Sequence, residues 1–212
     1  MNRLFIYGNG GFGQEVFDVA TRMNSYQSIS FIDDFNFDNI NVFHSSYVFD
    51  NFLPLGSCFF TVAIGDIVLR NSIIDRIIIH GGEFAVLIDP TAVVSPSALL
   101  NKGIIVCQLA FIGPNVKIGQ FVIVNSGAIV GHDIEIGNNS VVSSGAKIGG
   151  KSKISENVYL GMGSVVKEGL KIEKRAVLGM GAVLHSDLDT YMLAIGNPAR
   201  VIRKIDDDFK IL

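Results

Sequence analysis

The chain has 212 residues, of which 49% are hydrophobic, and its formal net charge is −3. This length allows one or two domains with a substantial core, and the near-neutral charge excludes the basic stripe of a nucleic-acid-binding protein. Two cysteines cannot form a disulfide framework, and no apolar run is long enough for a membrane span or a signal-peptide core. We expect a cytoplasmic protein.

The first 85 residues read as a small α/β domain. Strands alternate with helices in the order that builds a Rossmann-like parallel sheet. The predicted strands are 4–7, 29–32 and 59–64, followed by a last one at 77–80 or 84–87, and the predicted helices are 11–23 and 66–77. We expect residues 35–57, which are rich in Asn, Phe and Ser, to be irregular.

A glycine-rich turn joins the first strand to the first helix. Gly8, Gly10 and Gly13 form the pattern G-x-G-x-x-G, with Gly11 and Phe12 between the last two glycines. Such a turn offers backbone N–H groups and a helix N-terminus to a phosphate.

Two carboxylates, Asp33 and Asp34, follow the second predicted strand. An acid at this place can accept hydrogen bonds from a ribose hydroxyl or a base edge. A nucleotide-sugar site, an NAD site and a tight turn without function all remain open for this segment.

A six-residue period begins at Ile88 and continues to Leu184 without interruption. All seventeen residues at this spacing are Ile, Leu or Val. The fourth residue after each of them forms a second uncharged column, so both columns are expected to point inward. This period is typical of a hexapeptide parallel β-helix. We therefore predict a second domain over 86–212, in which the last residues, from Tyr191, cap the end of the solenoid.

His132 and Asp133 lie at an outward turn position of the repeat. A neutral histidine there can act as a general base for an attacking amine or hydroxyl, and an adjacent carboxylate can fix its tautomer. The alternative is a solvated surface histidine. His185 is the other histidine of the repeat, so the three-histidine cluster of a β-helical zinc site is missing and we expect no metal.

A short motif follows the last hexads. Gly196, Asn197, Pro198 and Arg200 belong to a G-N-P-A-R sequence that reads as a tight turn out of the solenoid. Arg200 and the basic residues after it form either a solvated end or a contact with the phosphates of a coenzyme.

Together these motifs resemble the bacterial sugar acyltransferase family that comprises sialic acid O-acetyltransferases and nucleotide-aminosugar N-acetyltransferases. The resemblance covers nearly the whole chain. It is carried by the glycine turn, the Phe31-Ile32-Asp33-Asp34 strand end, Ala63-Ile64-Gly65-Asp66 with Arg70, Asp89-Pro90-Thr91-Ala92, Gly131-His132-Asp133 and the closing G-N-P-A-R.

The resemblance implies a left-handed β-helix, acetyl-CoA as the donor and a homotrimer with active sites between subunits. It makes His132 the catalytic base with Asp133 beside it. It also makes Gly150 the residue whose amide faces the thioester oxygen. A nucleotide sugar would bind at the glycine turn, Asp33 and Asp34, with Gly65 and Arg70 nearby. Phe12 departs from the family, because some members carry histidine there.

Our first functional hypothesis is N-acetylation of a UDP- or dTDP-linked 4-amino-4,6-dideoxy sugar for O-antigen or other surface-polysaccharide biosynthesis. O-acetylation of sialic acid or its activated form is the nearest alternative. A non-enzymatic β-helical scaffold and an NAD oxidoreductase are the other classes that the sequence leaves open.

Overall fold

The computed structural model describes residues 2–37, 41–52, 58–206 and 209. The chain divides into two compact units, which comprise the described residues of Met1–Pro90 and of Thr91–Phe209. None of the helices in these described ranges has the length and apolar character that crossing a membrane requires.

The first unit is a three-layer α/β unit with a five-stranded parallel sheet. The strand order is β3-β2-β1-β4-β5. Its elements are β1 (Arg3–Tyr7), α1 (Gly11–Met23), β2 (Ser28–Ile32), β3 (Val42–Phe43), α2 (Ser45–Asn51), β4 (Cys58–Val62), α3 (Ile67–Ile79), β5 (Glu83–Phe84) and β6 (Leu87–Ile88).

The central strand β1 is apolar because it is covered on both faces. Leu4, Phe5, Ile6 and Tyr7 are all buried, as expected for a strand inside a parallel sheet. β1 pairs with β2 on one side and with β4 on the other. The chain order reverses between these neighbours, and this is where doubly wound sheets bind their ligands, at the carboxyl ends of the strands.

The prediction of an irregular segment over 35–57 was wrong for part of that range. β3 and α2 lie there, whereas residues 38–40 and 53–57 are outside the described residues. The seven residues of α2 are too few to show a helical period, and the helix starts where His44 Nδ1 accepts the Ser46 N–H. The last strand is also not at 77–80, because α3 continues to Ile79.

The second unit is a left-handed parallel β-helix of two-residue strands. These are β7 (Val93–Val94), β8 (Leu99–Leu100), β9 (Ile105–Val106), β10 (Phe111–Ile112), β11 (Lys117–Ile118), β12 (Ile123–Val124), β13 (Ile129–Val130), β14 (Glu135–Ile136), β15 (Val141–Val142), β16 (Lys147–Ile148), β17 (Lys153–Ile154), β18 (Tyr159–Leu160), β19 (Val165–Val166), β20 (Lys171–Ile172), β21 (Val177–Leu178) and β22 (Val183–Leu184).

Three hexads make one coil. Phe111 pairs with Ile129, and Ile129 pairs with Lys147, so that residues 18 positions apart stack in parallel register. The coils build three faces: β7-β10-β13-β16-β19-β22 is the first face, β8-β11-β14-β17-β20 is the second face, and β9-β12-β15-β18-β21 belongs to the third face.

The two predicted columns form the core of the β-helix. Every residue of the first column from Val106 to Leu184 is buried, whereas Val94 and Leu100 are half-buried. The first coil is less covered because an end coil of a solenoid has a neighbour on only one side.

A β-hairpin closes the other end of the second unit. Strand β23 (Met192–Ile195) adds to β21, and β24 (Arg200–Lys204) pairs with β23 in antiparallel orientation. This hairpin is the C-terminal cap that the loss of the hexad register predicted.

Candidate active site

His132 lies at the corner that joins the first and second faces, between β13 and β14. Its side chain is 55% exposed, so it is not a core residue. The hexad period explains this location, since Val130 and Ile134 occupy the two inward columns and leave the residues between them at the corner.

Asp133 holds one nitrogen of the imidazole. The distance between His132 Nδ1 and Asp133 Oδ2 is 2.8 Å. A carboxylate at this distance accepts a hydrogen bond from Nδ1–H and so keeps the ring proton on Nδ1, which leaves Nε2 unprotonated when the ring is neutral. Hydrogen bonds from His132 and then Asn115 lower the pKa of Asp133 below its ordinary value of 3.8, so the carboxylate is ionised at neutral pH.

Gly150 lies one coil further along, next to the other ring nitrogen of His132, Nε2. A Cβ atom added at Gly150 would be 2.6 Å from His132 Nε2, so no larger residue fits there without displacing the imidazole. Within the described part of the chain, the Gly150 N–H donates no hydrogen bond. This amide can therefore serve a substrate oxygen near Nε2.

A cleft of about 400 Å³ opens over these groups. It is lined by His132, Gly150, Lys151, Glu168 and Gly169. The cleft combines a potential base, a vacant backbone donor and two side chains of opposite charge. Glu168 follows His132 by two coils of 18 residues, and that spacing places it on the same corner. Lys151 was not identified from the sequence, although it follows Asp133 by one coil and lies on this corner too.

The first unit has its own cavity, of about 280 Å³, at the carboxyl ends of its central strands. Its walls are mostly apolar, and its polar edge carries Asp33, Asp34, Ser72 and Arg76. Asp33 Oδ1 accepts the N–H groups of Phe35 and Asn36. The other oxygen, Oδ2, has no partner among the described residues.

Asp34 is the centre of a polar cluster that the sequence did not reveal. Its Oδ2 lies 2.7 Å from Arg76 Nη2 and also accepts the Tyr7 hydroxyl, and its Oδ1 accepts the Ser45 N–H at 3.0 Å. Asp34, Arg76 and Tyr7 all line the cavity, and the hydrogen bonds to Asp34 hold the side chains of Arg76 and Tyr7 in its wall. Burial lowers the pKa of Arg76 below its ordinary value.

The glycine turn packs closely against the sheet at two of its positions. A Cβ at Gly13 would be 2.0 Å from the Gly8 carbonyl oxygen, and Gly8 has a φ of +106° that favours glycine. Gly10 and Gly11 have open space instead, with nothing within 4 Å of an added Cβ. Of the turn residues, Gly8 lines the cavity, whereas Gly10, Gly11, Phe12 and Gly13 are not among its lining residues.

Arg70 and Gly65 are not brought to the cavity surface. Arg70 is 1% exposed, and its Nη1 donates to the Ile64 carbonyl at 2.9 Å. Burial lowers the pKa of this guanidinium to about 9. This placement is that of a residue that supports the β4–α3 connection.

The closing turn lies on a different edge of the β-helix from His132. Val183 N donates to the Gly196 carbonyl at 3.0 Å, and Ala199 N donates to the Val183 carbonyl at 2.8 Å. This places residues 196–199 at the corner between the third and first faces, with a cis bond between Asn197 and Pro198. Within one chain the structure does not bring this turn to His132.

Two family models match the chain. The one described as the PglD N-terminal domain matches residues 3–77, and the one described as bacterial transferase hexapeptide (six repeats) matches residues 115–150. The matches lie on the first unit and on the coils that carry His132.

Solved structures match over nearly the whole chain. The acetyltransferase domain of PglB from Neisseria gonorrhoeae FA1090 is 30% identical with a TM-score of 0.90, and the match covers 95% of this chain and 100% of that one. The same domain in complex with acetyl coenzyme A matches equally well. A mutant of GDP-perosamine N-acetyl transferase from Caulobacter crescentus, in complex with CoA and GDP-perosamine, is 27% identical with a TM-score of 0.90, covering 96% and 98% of the two chains.

Proposed function

The chain belongs to the hexapeptide-repeat family of sugar acyltransferases, and we propose that it transfers the acetyl group of acetyl-CoA to the amine of a nucleotide-linked 4-amino-4,6-dideoxy sugar. The observation that carries this proposal is the arrangement of His132 between Asp133 and Gly150. The comparisons support the class of donor and acceptor, since one related acetyltransferase domain is described with acetyl coenzyme A and another with GDP-perosamine.

His132 is the proposed general base. With Nδ1 protonated against Asp133, Nε2 accepts the proton that the sugar amine loses as its nitrogen attacks the thioester carbonyl. The new C–N bond gives a tetrahedral intermediate, whose collapse breaks the C–S bond. The imidazolium then returns its proton to the departing CoA thiolate.

The Gly150 amide is the proposed donor to the oxyanion of that intermediate. A backbone N–H is a preorganised dipole, and it stabilises charge that develops only as the intermediate forms. Its place beside Nε2 supports this role, because the attacking amine and the carbonyl oxygen must both lie within hydrogen-bonding distance of their partners.

The cavity of the first unit is the proposed nucleotide site. Its apolar walls suit the faces of a base, and Asp33 Oδ2 is left with room for one donor. Uracil and thymine present one imide N–H, which matches a single acceptor and supports UDP or dTDP as the carrier. The N–H groups around Gly10 and Gly11, at the start of α1, would receive phosphates.

We also propose a homotrimer with active sites between subunits. The outward residues Val93, Phe111 and Ile129 of the first face are 60%, 41% and 41% exposed, and they form an apolar stripe beside His132. A stripe of this kind favours burial against another copy. A neighbouring copy could then bring its closing turn, with Arg200 for the coenzyme phosphates, to the His132 cleft.

The test is the release of free CoA from acetyl-CoA with a panel of acceptors. The panel contains UDP-, dTDP- and GDP-linked 4-amino-4,6-dideoxy sugars and sialic acid. We expect release with a UDP- or dTDP-linked amino sugar, a loss of about 1,000-fold in His132→Asn because the base is gone, and near-normal rates in His185→Asn, the matched control in the same repeat. Release with sialic acid alone, or equal rates in His132→Asn, would contradict the proposal.

A further inference from the structure

Asn115 contacts the catalytic pair from the preceding coil. It lies 18 residues before Asp133, and the two residues stack at the same corner with φ values of 59° and 56°. The carboxamide Nδ2 of Asn115 donates to Asp133 Oδ1 over 3.0 Å. No feature of the motif around His132 reveals this contact, because it depends on the stacking of successive coils.

The two oxygens of Asp133 therefore have separate partners. Oδ1 accepts from Asn115, whereas Oδ2 faces His132 Nδ1 at 2.8 Å. The Asp133 side chain is 45% exposed, so packing alone does not restrict its rotation. A hydrogen bond from a fixed donor does restrict it, and keeps Oδ2 directed at the imidazole.

Asn115 is itself held by the coil before it. Its backbone N–H donates to Ser97 Oγ at 3.0 Å. Asparagine also tolerates the left-handed backbone conformation of this corner, and it supplies a donor that glycine lacks. A donor that is anchored at its own backbone can position an acceptor on the next coil.

We propose that Asn115 is a positioning residue of the acetyl transfer, which acts by orienting Asp133 and thereby setting the tautomer of His132. This inference rests on the proposed role of His132 as the base. Lys151 and Glu168 also line the cleft, on the two following coils. The charge of Lys151 acts on Asp133, but among the described residues the hydrogen bond to Asp133 Oδ1 comes from Asn115.

The first experiment measures the tautomer of His132 by NMR on protein with ¹⁵N-labelled histidine, without any substrate and at a pH where the ring is neutral. The signal is assigned by its loss in His132→Asn. We expect a ring protonated at Nδ1 in the wild type and a marked shift towards the Nε2–H form in Asn115→Gly, which keeps the backbone conformation. Asn115→Asp, of equal size but without the donor, should shift in the same direction.

A matched control removes a side chain from an equivalent corner elsewhere. Asn157 has a φ of 59° on another edge, so Asn157→Gly should leave the tautomer of His132 unchanged. An unchanged tautomer in Asn115→Gly and Asn115→Asp, or an equal shift in Asn157→Gly, would overturn the proposal.

The second experiment follows turnover with the acceptor found in the panel. We expect kcat to fall about tenfold in Asn115→Gly with the KM for acetyl-CoA unchanged, since only the orientation of the base is affected. In an Asp133→Ala background the same change should have no further effect, because its target is absent. A full additional loss in that background would contradict action through Asp133. Inactivity of the wild type would contradict the proposed function, while the tautomer measurement would still decide whether Asn115 orients the pair.

Discussion

At the scale of single residues, the proposed site depends on a glycine, Gly150, that lies beside the proposed base, His132. Gly150 has an ordinary negative φ, so its backbone does not require glycine; the reason is the imidazole of His132, which occupies the space of a side chain. The hexads contain many glycines at turns, and only the stacking of coils distinguishes this one from the others.

This gives a prediction for Gly150→Ala. The added Cβ would be 2.6 Å from His132 Nε2, and the exposed imidazole must turn away. We expect kcat/KM to fall by about 100-fold, because a displacement of this size moves Nε2 out of reach of the proton on the attacking amine.

Thermal unfolding is the control for Gly150→Ala. The imidazole is 55% exposed and can move into solvent, so the melting temperature should be nearly that of the wild type. A large fall in melting temperature together with the loss of rate would indicate a folding defect, and unchanged kinetics would show that the closeness of Gly150 to Nε2 has no catalytic meaning.

At the scale of the repeated element, the two inward columns contain no charged residue, but several of their positions are occupied by serine. Ser140, Ser152 and Ser164 occupy the second column and are buried. Ser152 Oγ donates to the Gly149 carbonyl at 2.8 Å, whereas Ser164 Oγ has no partner among the described residues. The same residue type at the same repeat position thus has two different energetic roles.

The comparison of two alanine variants tests this difference. Ser152→Ala should lower the free energy of unfolding by about 1 kcal/mol, since a buried hydrogen bond is lost. Ser164→Ala should be neutral or stabilising by about 1 kcal/mol, because an unsatisfied buried hydroxyl is removed. Chemical denaturation of both variants measures this, and equal destabilisation of the two would refute the assignment.

At the scale of the whole molecule, the proposed site is divided between two edges of the β-helix. His132 lies at one corner of the first face, and the turn at 196–199 lies at the other. For His132 and this turn to contribute to one acetyl-CoA site, one subunit must supply His132 and a neighbouring subunit must supply the turn, as a cyclic trimer allows.

Mixed trimers test this arrangement. His132→Asn removes the base, and Arg200→Glu should raise the KM for acetyl-CoA at least about tenfold by repelling the phosphates. When both variants are co-expressed, about one quarter of the interfaces combine an intact His132 edge with an intact Arg200 edge, because each edge is intact with a chance of one half.

We therefore expect the mixed preparation to have about one quarter of the wild-type activity at low acetyl-CoA, which is more than either variant shows alone. The two purified variants, mixed without exchange of subunits, are the control. No recovery in co-expressed trimers would place both residues in a site within one subunit.

The sequence alone was sufficient to predict the β-helix and the position of His132 at one of its corners. Inward residues recur every six positions, so one column of Ile, Leu and Val defines the register of every coil and leaves His132 at a corner. The glycine turn was also predictable from the sequence, because the strand Arg3–Tyr7, the glycines and the helix Gly11–Met23 are adjacent in the chain. These features follow from local periodicity and steric constraints.

Only the tertiary structure decided the features that depend on distant residues. Arg76 and Tyr7 meet Asp34 because the sheet order places the ends of three elements together, and no spacing in the sequence predicts that cluster. Arg70 was predicted to lie in the substrate site, and the structure buries its side chain with a hydrogen bond to the Ile64 carbonyl. The contact of Asn115 with Asp133 exists only because coils stack at 18-residue intervals, so the orientation of the proposed base follows from the assembled solenoid rather than from the motif that contains it.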